Sequence, residues 1–418
     1  MSKEQKILNV PSRQTSLSAG IFNLTKSAVG AGILSLPFAM KQAGLIPGLF
    51  LIIFASLSTS STLHFLARIA ANTDQGNFFE VGKLAFGTAG EVTAVVSVIF
   101  YLIGALIAYA SFIKKYMLGF LTYVLQKEEN SMLLLNGKFL IGMGALLILP
   151  LALLRDMSKL AKASIVGMIC MAGVVALTVV DCFRDTAVTA AAEHVYYKAS
   201  SELVKAFTNI LFAFCNHFTM LAIVPTMVDP TPVRRTRMLL GSASAVLAMY
   251  LLTAFFGYWH FGENVDRNIL LSVNPITLPY AVAMLIVGIV VILSFPLLCD
   301  PTKSAVELLV TKMMGPAVGA SIYIRNFVIT STLVAISAVV AMFQADNAQA
   351  ILGVGSSFCG SLLMFVFPSA YFLRLSRKYE VHTSERVIAY FNIVFGLVVM
   401  VLGTFFNTHE LVASFTKK

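Results

Sequence analysis

The stretch Phe22-Asn23-Leu24-Thr25-Lys26-Ser27-Ala28-Val29-Gly30-Ala31-Gly32-Ile33-Leu34-Ser35-Leu36-Pro37 decides how this chain is read. It opens an apolar block, yet it carries two glycines and then a proline. Glycine costs backbone entropy in a helix and proline removes a backbone donor, so the helix is weakened locally. In a bilayer, unwound backbone survives only where protein or a water-filled cavity satisfies it. A break of this kind offers free backbone groups to a ligand. Half-helix N-termini suit a carboxylate and half-helix C-termini suit a cation, and an amino acid zwitterion needs both. The competing reading is close helix packing, which small residues also permit.

The rest of the chain supplies the membrane context. Of 418 residues, 58% are hydrophobic and 12% charged, against about 25% charged in a soluble domain. The apolar residues arrive in long blocks such as Leu45–Leu63, Leu140–Leu154, Ala281–Leu298 and Ile388–Phe406. A hydrocarbon core of about 30 Å takes roughly 20 helical residues to cross. The blocks do not alternate polar and apolar, which excludes a barrel. The sequence therefore predicts an all-α integral membrane fold with about eleven transmembrane helices. They run over 18–46, 48–70, 90–125, 138–154, 160–182, 203–227, 238–260, 274–299, 321–343, 347–373 and 386–407. The third is long for one span, so tilt or an extension beyond the bilayer is expected.

The formal net charge of +10 does not indicate nucleic acid. The charges sit singly or in short groups between apolar blocks, as juxtamembrane charge does. Lys and Arg favour one side: Arg68, Lys83, Arg155, Arg234, Arg235, Lys303, Lys312, Arg325 and Arg386 are on it. The other side holds fewer, among them Lys41, Lys114, Lys115, Lys198, Lys205 and Arg267. The richer side is expected to be cytoplasmic. Residues 1–17 then form a cytoplasmic N-terminal tail, 18–407 one transmembrane domain, and 408–418 a short C-terminal tail. The polar start carries no cleavable signal pattern. Five cysteines lie in or at the ends of apolar blocks with no CxxC pair, so they read as small apolar packing groups. No HExxH, GxSxG or Walker A sequence is present, which argues against an enzyme and against a metal or cofactor site.

The sixth block, Phe212-Ala213-Phe214-Cys215-Asn216-His217-Phe218, places polar groups mid-span ahead of Pro225. Polar residues inside a membrane are functional candidates by default. His217 can bind substrate, carry a proton or hydrogen-bond a neighbouring helix, and the sequence leaves all three open. The first and sixth blocks stand five spans apart, the spacing of a five-helix inverted repeat.

These segments resemble the amino acid/auxin permease family, which includes sodium-coupled neutral and proton-assisted amino acid transporters. Val29-Gly30-Ala31-Gly32-Ile33-Leu34-Ser35-Leu36-Pro37-Phe38-Ala39, followed by Lys41-Gln42-Ala43-Gly44, looks like that family's first-span signature. Leu149-Pro150-Leu151-Ala152-Leu153-Leu154-Arg155-Asp156 looks like the entry to its fifth span. Phe212–His217 resembles its sixth span, Phe295-Pro296-Leu297 the end of its eighth, and Gly353-Val354-Gly355 with Phe367-Pro368 its tenth. The resemblance implies a LeuT-type fold, a 5+5 inverted repeat with broken helices 1 and 6. It implies an amino acid substrate bound between those breaks and alternating access from the two sides. By carry-over, Gly30, Ala31 and Gly32 offer backbone to the substrate carboxylate. Phe214, Cys215 and His217 line the other wall, and Tyr109 faces the site from the third span.

Two departures bear on coupling. Sodium-coupled relatives have asparagine where this chain has Lys26, and a threonine where an ungapped alignment puts Ile289. A lysine ammonium would occupy and repel a sodium ion, which needs several oxygen ligands. Lys26 is therefore the coupling-ion position, and proton-coupled or uncoupled transport is favoured over sodium. The alternative for Lys26 is snorkelling to the interface. A transporter-like receptor with little flux is the rival function. A receptor usually carries a longer cytoplasmic tail than residues 1–17 provide. The partners expected are the substrate and the bilayer, and a monomer is the default for this fold. The membrane is either the plasma membrane or a vacuolar or lysosomal one.

Overall fold

The computed structural model describes residues 15–73, 75–154, 158–198, 200–314, 322–344, 347–376 and 381–416. Arg155 and Asp156, from the quoted fifth-span motif, lie outside the described residues. Among the described residues the chain is all helical, with one isolated backbone bridge between Thr15 and Met227.

The first block is two helices. Ser16 caps α1 (Leu17–Ala28) by accepting from the Ala19 amide at 3.2 Å. The helix stops at Val29 and Gly30, and a 3-10 turn over Ala31–Ser35 leads into α2 (Leu36–Ala43). The two halves are bent by 48°. Pro37 sits in the first turn of α2, where its missing donor is harmless. Gly44, at φ 86°, then reverses the chain with the Tyr197 and Lys198 backbone 3.0 Å from where a Cβ would stand. No side chain fits there, so α3 (Leu45–Thr73) starts at once, earlier than the boundary read from sequence.

α4 (Phe78–Leu125) accounts for the long third block. Asn77 caps it, and Phe86 and Gly87 break its regular dihedrals, with Gly87 at φ 66°. The extra residues therefore form a kinked turn ahead of the span, which corrects the expected start at 90. α5 (Gly137–Ala152), α6 (Ser158–Arg184) and the short α7 (Thr186–Ala191) complete the first half. The sixth block is again two helices, α8 (Glu202–Phe214) and α9 (His217–Ile223). α10 (Pro232–Phe261) follows, capped by Thr231. α11 (Leu278–Met314) runs well past the expected end at 299, through Pro296 and Pro301. α12 (Ile322–Gln344) and α13 (Ala348–Gly355) come next. Wide π turns over Ser356–Gly360 and Leu362–Val366 lead into α14 (Phe367–Leu375). The last helix, α15 (Thr383–Thr416), takes in residues 408–416 of the expected C-terminal tail.

Nine helices among the described residues are long and apolar enough to cross a membrane, and the bent α1/α2 pair makes ten. The fourth block, at 16 residues, is shorter and stands apart from that count, so eleven is reached only by including it. The outer surface fits lipid. Phe50, Ile53 and Leu57 on α3, and Val394, Val398, Val401 and Phe405 on α15, form exposed apolar stripes at helical spacing. A protein in water does not leave stripes of this length uncovered.

Basic residues of both lists are held in ion pairs. Arg68 pairs with Glu385, Lys312 with Glu91, and Arg325 with Glu307. Lys198 pairs with Glu263 and Lys205 with Glu410.

Candidate functional site

The two broken helices stop in the same way. Val29, the residue after α1, has φ −76° and ψ 89°; Cys215, the residue after α8, has φ −80° and ψ 89°. Each break leaves carbonyls at the end of one half and amides at the start of the next. A single hydroxyl joins them. Tyr250 Oη, on α10, lies 2.8 Å from Ala28 O and 2.6 Å from Ala213 O. Tyr250 is fully buried, with the Phe214 ring edge-on to it. Its one proton is shared between terminal carbonyls of both broken helices.

Further ties run along the pair. On one side of the breaks, Gly32 packs against α8, with Ala213 Cα 3.0 Å from where its Cβ would be. Beyond it, Gln42 Nε2 donates to Glu202 at 3.0 Å and Asn209 donates to Gln42 Oε1 at 3.1 Å. Lys205 pairs with both Glu202 and Glu410. These contacts tie α2 to α8 on that side. On the opposite side, Asn216 Nδ2 donates to Leu24 O at 3.3 Å. The Thr15 amide donates to Thr226 O at 3.0 Å, and the Val228 amide donates to Thr15 O at 3.0 Å.

On this second side a cavity of about 580 Å³ begins at the breaks. Its volume falls within the range of small-molecule sites. One wall is α1 and α9, with Asn23, Lys26, Ser27, Gly30, Phe218 and Thr219. The facing wall comes from α4, α6 and α11. It extends to Ile223 and Pro301, near the Arg/Lys-rich side, and no residue of α2 or α8 lines it. Pro301 cannot donate to the Leu297 carbonyl one turn earlier, and Leu297 and Pro301 both line the cavity. The broken ladder thus lies where water can satisfy it.

The residues singled out from sequence divide between cavity and packing. Lys26, Gly30, Ala31, Tyr109 and Cys215 line the cavity together. The Tyr109 hydroxyl faces the backbone there, 3.3 Å from where a Gly30 Cβ would stand. Gly32, Phe214 and His217 lie outside the lining. His217 is fully buried and turned to α3, with Nε2 2.9 Å from Thr62 Oγ1. The Thr62 hydroxyl donates to Thr59 O at 3.0 Å, so it accepts from His217 Nε2, and His217 Nδ1 has no partner. Of the three readings for His217, the interhelical hydrogen bond is the one present in this conformation. Ile289 is 46% exposed and outside the lining, where Val290, Val291 and Ser294 stand instead. The sequence argument from Ile289 therefore concerns a lipid-facing position.

Sequence reasoning missed Tyr250, Gln42 and Asn209. Tyr250 sits in Val246-Leu247-Ala248-Met249-Tyr250, which looks like any apolar helix interior. Gln42 belonged to the quoted signature, but its partners come from residues 202 and 209, which no local pattern links to it.

A multi-pass helical membrane protein with a central cavity at two broken helices is built as a transporter. The chain belongs to the family described as "Transmembrane amino acid transporter protein", whose profile matches residues 13–408. The resemblance read from the first, sixth, eighth and tenth spans thus extends over nearly the whole chain.

Disconnecting Gln42 tests which side is closed. Gln42→Leu removes two hydrogen bonds that hold α2 to α8, each worth about 1 kcal/mol. Cys215 is the reporter, with Cys170, Cys182, Cys299 and Cys359 replaced by serine. Labelling of Cys215 by an impermeant thiol reagent applied to the closed side should rise about fivefold or more. Unchanged labelling would mean these bonds do not hold the gate.

Proposed function

We propose that this protein is a secondary active transporter that moves amino acids by alternating access, driven by protons or uncoupled rather than sodium-coupled. The observation that carries the reading is the one-sided cavity. It reaches the breaks from the Arg/Lys-rich side, while Gln42, Glu202 and Asn209 close the other. With the richer side cytoplasmic, this is the inward-open state. The Tyr250 hydroxyl couples the two breaks, so α1 and α9, which line the cavity, move together as one body while the α2–α8 contacts at Gln42 part to open the far side. That body rocks against α4, α6 and α11, which form the opposite wall. The pairing of equivalent breaks at Val29 and Cys215 supports a LeuT-type 5+5 inverted repeat.

Substrate binding follows from the backbone. The amide end at Ala31 favours a carboxylate, and the carbonyl end of α1 at Val29 favours an ammonium; both residues line the cavity. Lys26 lies one turn before Gly30 in the same cavity, where it serves as the coupling position and excludes sodium. Lys26→Ala is expected to reach the membrane in normal amount and to lose the pH-sensitive part of transport. Uptake measured at neutral and acidic external pH checks this. A variant as pH-sensitive as the wild type removes Lys26 from the mechanism.

A further inference from the structure

The cavity has two chemically different walls. The α1 wall carries Asn23, Lys26 and Ser27. The opposite wall is apolar where α6 and α11 form it, with Met168, Met171, Val287, Val290 and Val291, and α4 adds Leu102 and the Tyr109 hydroxyl near the break. Ser294 is the one hydroxyl among the described α6 and α11 residues of the lining. Among all described lining residues, Lys26 is the one charged side chain, and no aspartate or glutamate is present.

Resting on the transport reading above, we infer that the substrates are amino acids with bulky, uncharged, apolar side chains, oriented by Lys26 and the α1 break at one end and by the methionine–valine wall at the other. A zwitterion places its carboxylate toward Lys26 and the amides of the break. Its ammonium faces the carbonyl end of α1 at the break. Its side chain then lies against α6 and α11, where apolar burial is its source of affinity. A cationic side chain would add a second positive charge to a site whose described lining offers no carboxylate to receive it. Like charges held together across a binding site cost several kcal/mol. An acidic side chain would meet a wall with almost no donors, and a buried charge without a partner is expensive. A small side chain fits but leaves most of the wall uncovered. Methionines suit this role because they adapt to differently shaped apolar groups. The wall therefore selects by polarity and bulk rather than by one shape.

The test is counterflow of labelled leucine in proteoliposomes, with unlabelled phenylalanine, methionine, alanine, lysine and glutamate as competitors. Counterflow needs no ion gradient, so coupling does not enter. Phenylalanine and methionine should compete like leucine, and lysine and glutamate should be at least about tenfold weaker. Leucinamide, which lacks the carboxylate, should also be about tenfold weaker, and Lys26→Met should erase that difference. Met171→Trp, which fills the apolar wall, should weaken phenylalanine at least about tenfold more than alanine. Lysine or glutamate competing as well as leucine overturns the inference. Absence of any counterflow overturns the transport reading instead. The same panel is then read by thermal stabilisation of the purified protein. Leucine and phenylalanine raising Tm while lysine does not would uphold the selectivity; equal stabilisation by lysine, or none by any, would overturn it.

Discussion

Tyr250→Phe is expected to lower transport turnover about tenfold or more while leaving the protein folded in the membrane. The side chain keeps its ring, and with it the edge-on contact to Phe214. What is lost is one hydroxyl between Ala28 O and Ala213 O. A buried acceptor left without a donor costs about 1–3 kcal/mol, and 1.4 kcal/mol in a barrier is a factor of about ten in rate. The loss falls on both breaks at once, so the two broken helices no longer share a hinge. If the hydroxyl only stabilised the fold, the thermal midpoint would fall with turnover per folded molecule unchanged. If it holds the breaks in register, turnover falls at fixed amounts of folded protein, and exchange slows with net uptake. Initial rates normalised to monodisperse protein, with the melting curve beside them, separate the two outcomes. Normal turnover in Tyr250→Phe would show that the breaks move without this link.

The second large effect separates two glycines that look alike in sequence. At Gly32 a Cβ would stand 3.0 Å from Ala213 Cα and 3.1 Å from Ala213 Cβ. A backbone neighbour cannot give way as a flexible side chain can, so even Gly32→Ala forces α2 and α8 apart. Overpacking of this kind costs about 1–3 kcal/mol. At Gly30 the one near atom among the described residues is the Tyr109 hydroxyl, 3.3 Å away, and Gly30 lines the cavity. Gly32→Val should therefore reduce transport by weakening closure of the far gate, seen as greater labelling of Cys215 from that side. Gly30→Val should block transport by filling the site, with no change in that labelling. Normal uptake by Gly30→Val would remove the first-span break as the substrate site. Equal behaviour of the two variants would contradict the division between packing and binding.

The sequence made the breaks legible because their cause is local. Gly30, Gly32 and Pro37 lie within eight residues of one another, and Asn216 and His217 interrupt an apolar run. Length and hydropathy alone place most of the spans. The ends were harder for identifiable reasons. α11 continues past Pro301, whose freed Leu297 carbonyl borders the cavity, which composition does not show. α15 continues to Thr416 because Glu410 is held by Lys205 and Arg267, both far away in sequence. The kink at Phe86–Gly87 had a signal in Phe86-Gly87-Thr88-Ala89-Gly90 that a reading for spans passed over.

The site was legible only in part. Which residues lie near the breaks follows from the motifs; which way they point does not. Gly30 and Gly32 are two residues apart, yet one opens to the cavity and the other packs on Ala213. His217 looked like a cavity residue and instead bonds Thr62 on α3. Tyr250 has no local signature at all, since its role depends on two carbonyls brought together from residues 28 and 213.

The central claim is that the cavity at the breaks carries amino acids across the membrane. The most direct measurement is uptake of a labelled amino acid panel by the purified protein in proteoliposomes, with sodium or choline outside, at neutral and acidic external pH. The account predicts saturable uptake indifferent to sodium, either following the pH gradient or needing no gradient. Uptake that requires sodium would contradict the role given to Lys26. Ligand binding with no uptake under any condition would contradict the transport claim itself.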